Sequence, residues 1–272
     1  MLHELPDYRD LDSSGEARAA AARMDARARE RASHELFEVL VRPLLSPPPR
    51  RVLEVGCGTA ALARRIARAA PAAEVLASDK SEGMLTAAKR HLEAESARIV
   101  LARWDVLDEP AFPFGDEPFN LIVSSVMVPY LDDAHTYELV PRLAARLPPG
   151  GVLAFIEQDL ASASLHHPSK ELVRRVMGSG GVDSKQTLAL GLRPVLRAAG
   201  LTLLPCASFL WVDDAYGAYC RDLFQRFADA AFEAERISAE ERHTFLSTLE
   251  ALAADQEFYY GIVYHRVAGR KA

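Results

Sequence analysis

Cysteine is scarce in this sequence and widely spaced. The three cysteines, Cys57, Cys206 and Cys220, lie far apart and form no C-x-x-C pair. Zinc and iron–sulfur sites are built from closely spaced cysteines, and disulfide frameworks from larger even sets of them. The sequence therefore predicts no metal site and no disulfide framework.

Long apolar runs are lacking as well. No stretch approaches the ~18 consecutive apolar residues that a membrane-spanning helix requires. The first residues do not have the pattern of a secretory signal peptide. Because no disulfide framework is predicted either, we expect a soluble protein of the reducing cytoplasm, with no membrane partner.

Blocks of like charge are also missing, and the formal net charge is −6. Contacts to a nucleic-acid backbone are made by clustered Lys and Arg side chains. The one Arg-rich stretch, residues 23–31, is interleaved with Asp25 and Glu30, which is typical of a solvated helix face. We therefore expect no nucleic-acid partner.

What the 272 residues do contain is enough hydrophobic material, 49%, for one large α/β domain or two small ones. Residues 51–61, RVLEVGCGTAA, give a short apolar strand, a glycine turn and the start of a helix. The two glycines allow a sharp turn that brings backbone N–H groups close to a ligand. Because G-x-G-x-x-A also fits a nicotinamide fingerprint, this loop alone does not choose the nucleotide.

Glu54 favours one nucleotide over the other. A carboxylate two residues before the first glycine suits a cationic ammonium better than a pyrophosphate. The run Glu54-Val-Gly56-Cys57-Gly58-Thr-Ala60 resembles motif I of the class I S-adenosylmethionine-dependent methyltransferases, with Ala60 in place of the usual third glycine. The resemblance implies that S-adenosylmethionine is the cofactor and that Glu54, Gly56, Cys57 and Gly58 contact it.

A second predicted strand, residues 74–78, ends in Asp79. An acid ~20 residues after the glycines can accept hydrogen bonds from both hydroxyls of a ribose. The following residues resemble the family pattern of a Ser-capped helix that carries Met-Leu, which implies that Lys80 and Met84 lie beside the cofactor. Met84 either packs on the adenine or fills the core.

The third and fourth predicted strands extend the resemblance. Residues 98–103 precede Asp105, which the family pattern places on the adenine amino group, with the Val106 N–H on a ring nitrogen. The alternative is that Asp105 only caps a turn. Residues 119–124 form the fourth strand, and Ser124 at its end is expected to face the transferable methyl group.

These elements predict an α/β fold, a Rossmann-like doubly wound seven-stranded sheet with an antiparallel last strand, plus an N-terminal helical cap and helical insertions. The motif L-x-P-G-G-x-L before the fifth strand, residues 151–157, fits this family, and residues 257–267 fit the last strand. The expected regions are a cap or lid at 1–48, a methyltransferase domain at 49–272, and inserted substrate-covering segments at about 158–187 and 212–255.

A methyl acceptor that is a neutral amine or phenol must also lose a proton, which requires a base with a pKa near the operating pH. His166 and His167 are the predicted bases, because they follow the fifth strand in a polar segment. Tyr130 and His135 are weaker candidates. The alternative is that these histidines are surface residues without a catalytic role.

The predicted function is methyl transfer to an O, N or C nucleophile of a small, largely apolar or aromatic metabolite, as in the tailoring of natural products in secondary metabolism. Aromatic side chains outside the cofactor motifs motivate this acceptor: Phe209, Trp211, Tyr216, Tyr219, Phe224 and Phe227. One alternative is a protein of the same fold that binds the cofactor without transferring methyl, for example a cyclase. Another is an NAD-dependent oxidoreductase, although no Ser/Tyr-x-x-x-Lys pattern supports it. The oligomeric state stays open, a dimer included.

Overall fold

One mixed sheet organises the part of the chain that the structure describes. The structure is a computed structural model and describes residues 10–95, 99–108, 111–131, 133–178 and 188–272. Eight strands are found there: β1 Arg51–Val55, β2 Glu74–Asp79, β3 Ile99–Arg103, β4 Leu121–Ser125, β5 Val152–Leu165, β6 Leu201–Leu203, β7 Ala207–Asp213 and β8 Tyr260–Lys271. Their order is β3-β2-β1-β4-β5-β8-β6, and β7 also pairs with β8.

Helices cover both faces of this sheet. The α-helices in the described residues are α1 Ala17–Arg29, α2 Arg31–Leu36, α3 Ala61–Ala69, α4 Glu82–Glu95, α5 Asp133–Ala145, α6 Lys170–Met177, α7 Leu188–Ala198, α8 Ala218–Glu233 and α9 Ala239–Ala254. Every residue of β1 is buried, as expected for a central parallel strand. Alternate β1 side chains enter opposite cores: Val52 packs with Ile66 on one face, and Leu53 with Leu143 on the other.

The edge beyond β5 is antiparallel, so the predicted fold class is confirmed. β8 runs antiparallel to β5, β6 and β7. β6 and β7 lie along the same side of β8, with a one-residue change of register between the pairs Leu203–Gly269 and Ala207–Arg266. Pro205 lies in this gap and has no N–H to donate to the ladder. The stretch from Leu201 to Asp213 therefore forms two short strands with a break between them.

The first predicted insertion, residues 158–187, begins within strand β5. β5 continues to Leu165 because its second half pairs with the start of β8, including Ser164 with Gly261. An irregularity in the ladder is bridged by Ser162, whose Oγ accepts a hydrogen bond from the Val263 N–H at 2.8 Å. Residues 179–187 of this insertion lie outside the described residues.

The N-terminal cap packs over the carboxyl ends of the parallel strands. α1 contacts both α4 and α8. Asp12, which precedes α1, accepts hydrogen bonds from the Ser81 hydroxyl at 2.7 Å and from the Glu82 and Gly83 N–H groups at 2.7 and 3.1 Å. The cap is thus joined to the first turn of α4. Residues 1–9 of the predicted cap lie outside the described residues.

Two further features of the described ranges concern membranes and metals. None of the helices there is long and apolar enough to span a bilayer. Nor do the side chains in those ranges place three or more His, Cys, Asp or Glu groups where they could hold a metal ion together.

Candidate active site

A cavity of about 210 Å³ lies at the carboxyl ends of the parallel strands. Strand order reverses between β1 and β4, and ligands of doubly wound sheets bind at such a switch point. The sheet contributes the floor of the cavity, from Asp105 after β3 to Tyr260 on β8, while α1 and α8 form its cover. The site therefore extends under the N-terminal cap.

The glycine loop after β1 forms one wall of this cavity. Gly56 lines the cavity, and its backbone φ is +71°. A Cβ on Gly56 would lie 2.9 Å from the Met127 Sδ, and one on Gly58 would lie 2.5 Å from the Met24 Sδ. Cys57 is buried and its N–H donates to the Ser78 carbonyl. Of the three predicted loop contacts, only the Gly56 position lies among the cavity residues.

Asp79 lies at the end of β2 and lines the cavity, as the sequence predicts. Its Oδ2 accepts a hydrogen bond from the Gly58 N–H at 2.8 Å, and its Oδ1 accepts one from the Ser81 N–H at 2.9 Å. Burial raises the pKa of Asp79, and the nearby carboxyl of Asp12 raises it further. Each carboxylate oxygen retains a second lone pair, so the group can still accept ligand hydroxyls.

Asp105, Val106, Lys80 and Met84 also line the cavity. Asp105 accepts a hydrogen bond from the Leu107 N–H at 3.0 Å, so the alternative reading as a turn cap describes a real contact. Its other oxygen lies 3.6 Å from the Lys80 ammonium. These four residues form a polar end of the cavity with Met84 as an apolar contact.

Glu54 takes a different place from the one predicted. It is buried below the loop, outside the cavity residues, and its Oε2 accepts a hydrogen bond from the Ala63 N–H at 2.7 Å. Burial raises the pKa of Glu54 to about 8, so the acid is mostly neutral at pH 7. In this structure Glu54 binds the first turn of α3 and contacts no cavity surface.

The predicted Ser124 is not among the cavity residues, although its neighbour is. Ser124 is fully buried, whereas Ser125 lines the cavity. Successive side chains of a strand point to opposite faces, so the neighbour of a correctly placed residue can face away.

Neither predicted histidine base lies among the cavity residues. The side chain of His166 is exposed, and its backbone N–H donates to the Tyr259 carbonyl. His167 is buried, stacks on Phe245 with ring centroids 5.3 Å apart, and its Nδ1 accepts from the Ser169 N–H. Burial lowers the pKa of His167, which favours a neutral ring in a packing role. The weaker candidate, Tyr130, does line the cavity.

The cap and α8 supply cavity residues, most of which the sequence does not assign to a site. α1 contributes Arg23, Met24 and Arg27, and α8 contributes Tyr219, Leu223, Arg226 and Phe227. Their spacing of three or four residues shows that they share a helix face. It does not show which face turns towards the cavity, because the helices join the sheet through loops.

The predicted aromatic cluster is divided between cavity and core. Tyr219 and Phe227 line the cavity. Trp211, Tyr216 and Phe224 belong to the buried core, against which Phe209 packs. Most of these rings therefore belong to the core that joins the added helices to the sheet.

Comparisons with known proteins point to one family and one fold. A family model described as a methyltransferase domain matches residues 52–151. A trans-aconitate 2-methyltransferase from Variovorax paradoxus (strain S110) is 32% identical over 162 residues, 57% of each chain. Another, from Methylobacterium radiotolerans, is 30% identical over 217 residues, 78% of this chain and 76% of the relative. The N-methyltransferase NodS from Bradyrhizobium japonicum, solved with S-adenosyl-L-homocysteine, shows the same fold, with 17% identity, 89% of both chains covered and a TM-score of 0.51.

The chain belongs to the class I S-adenosylmethionine-dependent methyltransferases, so the resemblance found in the sequence is confirmed. S-adenosylmethionine is the cofactor of this family, which confirms the predicted cofactor as well. The chain spans 47% to 60% of the length of three of the trans-aconitate 2-methyltransferases that it matches.

Proposed function

We propose that this protein transfers a methyl group from S-adenosylmethionine to an O, N or C nucleophile of a small, largely apolar or aromatic metabolite, as in natural-product tailoring. The observation that carries the proposal is a single cavity that joins the acids after β2 and β3 to a ring-lined cover on α8. Cofactor and acceptor would thus share one cavity.

The cofactor end has the donors and acceptors that an adenosyl group requires. Asp79 would hold the ribose hydroxyls, Asp105 and the Val106 N–H would hold the adenine, and Met84 and Trp104 would pack on its ring. Glycine at position 56 lets the loop backbone border the cavity, because a Cβ there would lie 2.9 Å from the Met127 Sδ. When bound, the cofactor supplies an activated methyl group on a sulfonium.

The acceptor end is mostly apolar. Tyr219, Leu223 and Phe227 of α8 line the cavity together with Leu160 on β5 and Tyr260 on β8. Small-molecule sites are largely apolar, with a few directing polar groups, and aromatic rings provide flat walls for a flat substrate. This lining supports an apolar or aromatic acceptor body.

The chain's own contribution to the reaction would be orientation and exclusion of water. Among the described cavity residues there is no histidine, and the O–H groups at or shortly after the end of β4 are those of Ser125 and Tyr130. A base is needed only for an acceptor that must still lose a proton. An acceptor oxygen that is already ionised would need only correct placement.

A methyl-transfer screen tests the proposal. Purified protein with labelled S-adenosylmethionine would be offered phenols, aromatic and aliphatic amines, and carboxylic acids that include trans-aconitate, with tRNA and a basic peptide as controls. We expect turnover on one or more hydrophobic small molecules. Turnover on tRNA or the peptide alone would contradict the proposed acceptor class. Cofactor binding with no turnover on any class would favour the non-transferring alternative.

A further inference from the structure

Four cationic side chains of the described residues line the cavity, and three of them have anionic or polar partners. Lys80 lies 3.6 Å from Asp105, and the Arg226 Nε donates to Asp222 at 2.8 Å. Arg27 donates to the Tyr264 hydroxyl at 2.7 Å.

Arg23 on α1 is different. Its side chain is 10% exposed, and within the described residues its ion-pair partner is the largely exposed Glu16, 3.9 Å from Nη1. Its Nε and Nη2 are buried and have no hydrogen-bond partner among the described residues. Burying charged N–H groups without a partner costs several kcal/mol, so a ligand that pairs with them would bind favourably.

The two unpaired nitrogens define the shape of that ligand group. Nε and Nη2 lie on the same edge of the planar guanidinium, and their two N–H bonds are parallel there. This edge matches the two oxygens of a carboxylate, and such bidentate pairs are among the stronger hydrogen-bonded contacts in proteins. Arg266 provides a contrast: only its Nε lacks a partner, since its two terminal nitrogens donate to backbone carbonyls.

We propose that Arg23 of the cap binds a carboxylate in the cavity through its Nε–Nη2 edge. The inference rests on the proposed function, because two carboxylates could reach this place: that of the cofactor's methionine moiety and one carried by the acceptor. In either case the cap recognises a charged group as well as covering the site. The ligand carboxylate pairs with the guanidinium nitrogens that have no hydrogen-bond partner among the described residues.

Calorimetry separates the two sources. S-adenosylhomocysteine carries the amino-acid carboxylate, whereas 5′-methylthioadenosine keeps the adenosine and sulfur but lacks it. Both would be titrated into the wild type, Arg23→Gln and Arg23→Lys, with Arg18→Gln as the matched control, since Arg18 is an exposed arginine on the same helix. Binding to the wild type is itself the check on the proposed function.

If the carboxylate is the cofactor's, Arg23→Gln should weaken S-adenosylhomocysteine by about 10- to 100-fold and leave 5′-methylthioadenosine unchanged. Arg23→Lys should retain part of the affinity. If it is the acceptor's, Arg23→Gln should leave both nucleosides unchanged and raise KM only for carboxylic acids that the wild type methylates.

Two results would overturn the inference while leaving the proposed function intact. One is equal weakening of both nucleosides, which would indicate general damage to the site. The other is wild-type affinity for S-adenosylhomocysteine without any change in KM for a carboxylic acid, including the case in which no carboxylic acid is methylated.

Discussion

Asp79 is the residue on which both the glycine loop and the proposed cofactor contact depend. Its two oxygens hold the Gly58 and Ser81 N–H groups while the carboxyl faces the cavity. A single side chain thus fixes the turns after β1 and β2 relative to each other. The sequence predicts the position of Asp79, because the spacing between the glycine loop and the second strand is enough to place an acid at the end of that strand.

We expect Asp79→Ala to weaken S-adenosylhomocysteine binding by about 1.5–3 kcal/mol, the scale of lost charge-assisted hydrogen bonds. Calorimetry measures the change, and Asp214→Asn serves as an exposed control. A melting curve recorded beside each titration separates lost contacts from lost folding. Unchanged affinity in folded Asp79→Ala would remove Asp79 from the cofactor site.

Glu54 predicts a dependence of stability on pH. Burial raises its pKa from 4.5 to about 8, so the folded state keeps the proton that the unfolded chain releases. The unfolded state therefore gains relative to the folded state as pH rises from about 4.5 to 8, and the free energy of unfolding falls across that window. Glu157 is buried in the same way, and its pKa is also raised to about 8.

Glu54→Gln should reduce this fall, since the amide cannot ionise. Urea unfolding at pH 5, 6.5, 8 and 9 would compare its slope against pH with those of the wild type and Glu93→Gln, an exposed control. Any constant cost of the buried amide cancels in the slope. Equal slopes in all three proteins would show that Glu54 is ionised in the folded state.

At the scale of elements, the sequence predicts the parallel half of the sheet well. Val52 to Val55, the glycines after them and the acid after β2 form a local pattern whose meaning depends on few distant contacts. Residues 158–165 lack the β-branched residues of a typical strand, and their extended conformation depends on pairing with β8. That pairing is not visible in a local pattern.

The placement of side chains on attached elements is the other part that the sequence could not provide. Ser125 lines the cavity and Ser124 does not, and the sequence cannot distinguish them because the predicted end of a strand is uncertain by a residue. His167 stacks on Phe245 of α9, an element almost eighty residues further along the chain, and only the folded chain shows that contact. Arg23 faces the cavity because α1 packs against α4 and α8.

The junction between cap and α4 gives a prediction at this scale. Asp12 caps the first turn of α4 from a distant part of the chain, through Ser81, Glu82 and Gly83. Asp12→Ala should cost about 1 kcal/mol of stability, the usual effect of losing a helix cap. It should also increase amide hydrogen exchange in α1, because the cap loses a tether.

Asp10→Ala is the matched control, since Asp10 bonds to Ser13 within its own turn. Exchange in α1 that rises equally in both variants, or in neither, would show that the Asp12 contacts do not hold the cap to α4.

At the scale of the whole molecule, two layers meet at one cavity. The sheet provides acids and a glycine loop at its carboxyl edge, and the cap and α8 provide cations and rings above it. The central claim is that this cavity binds an S-adenosyl cofactor and not a nicotinamide dinucleotide.

Parallel calorimetric titrations of the wild-type chain with S-adenosylhomocysteine and with NADH test that claim most directly. We expect one S-adenosylhomocysteine to bind per chain with saturable heat, and NADH to give none above dilution. Saturable NADH binding together with no heat from S-adenosylhomocysteine would contradict the account.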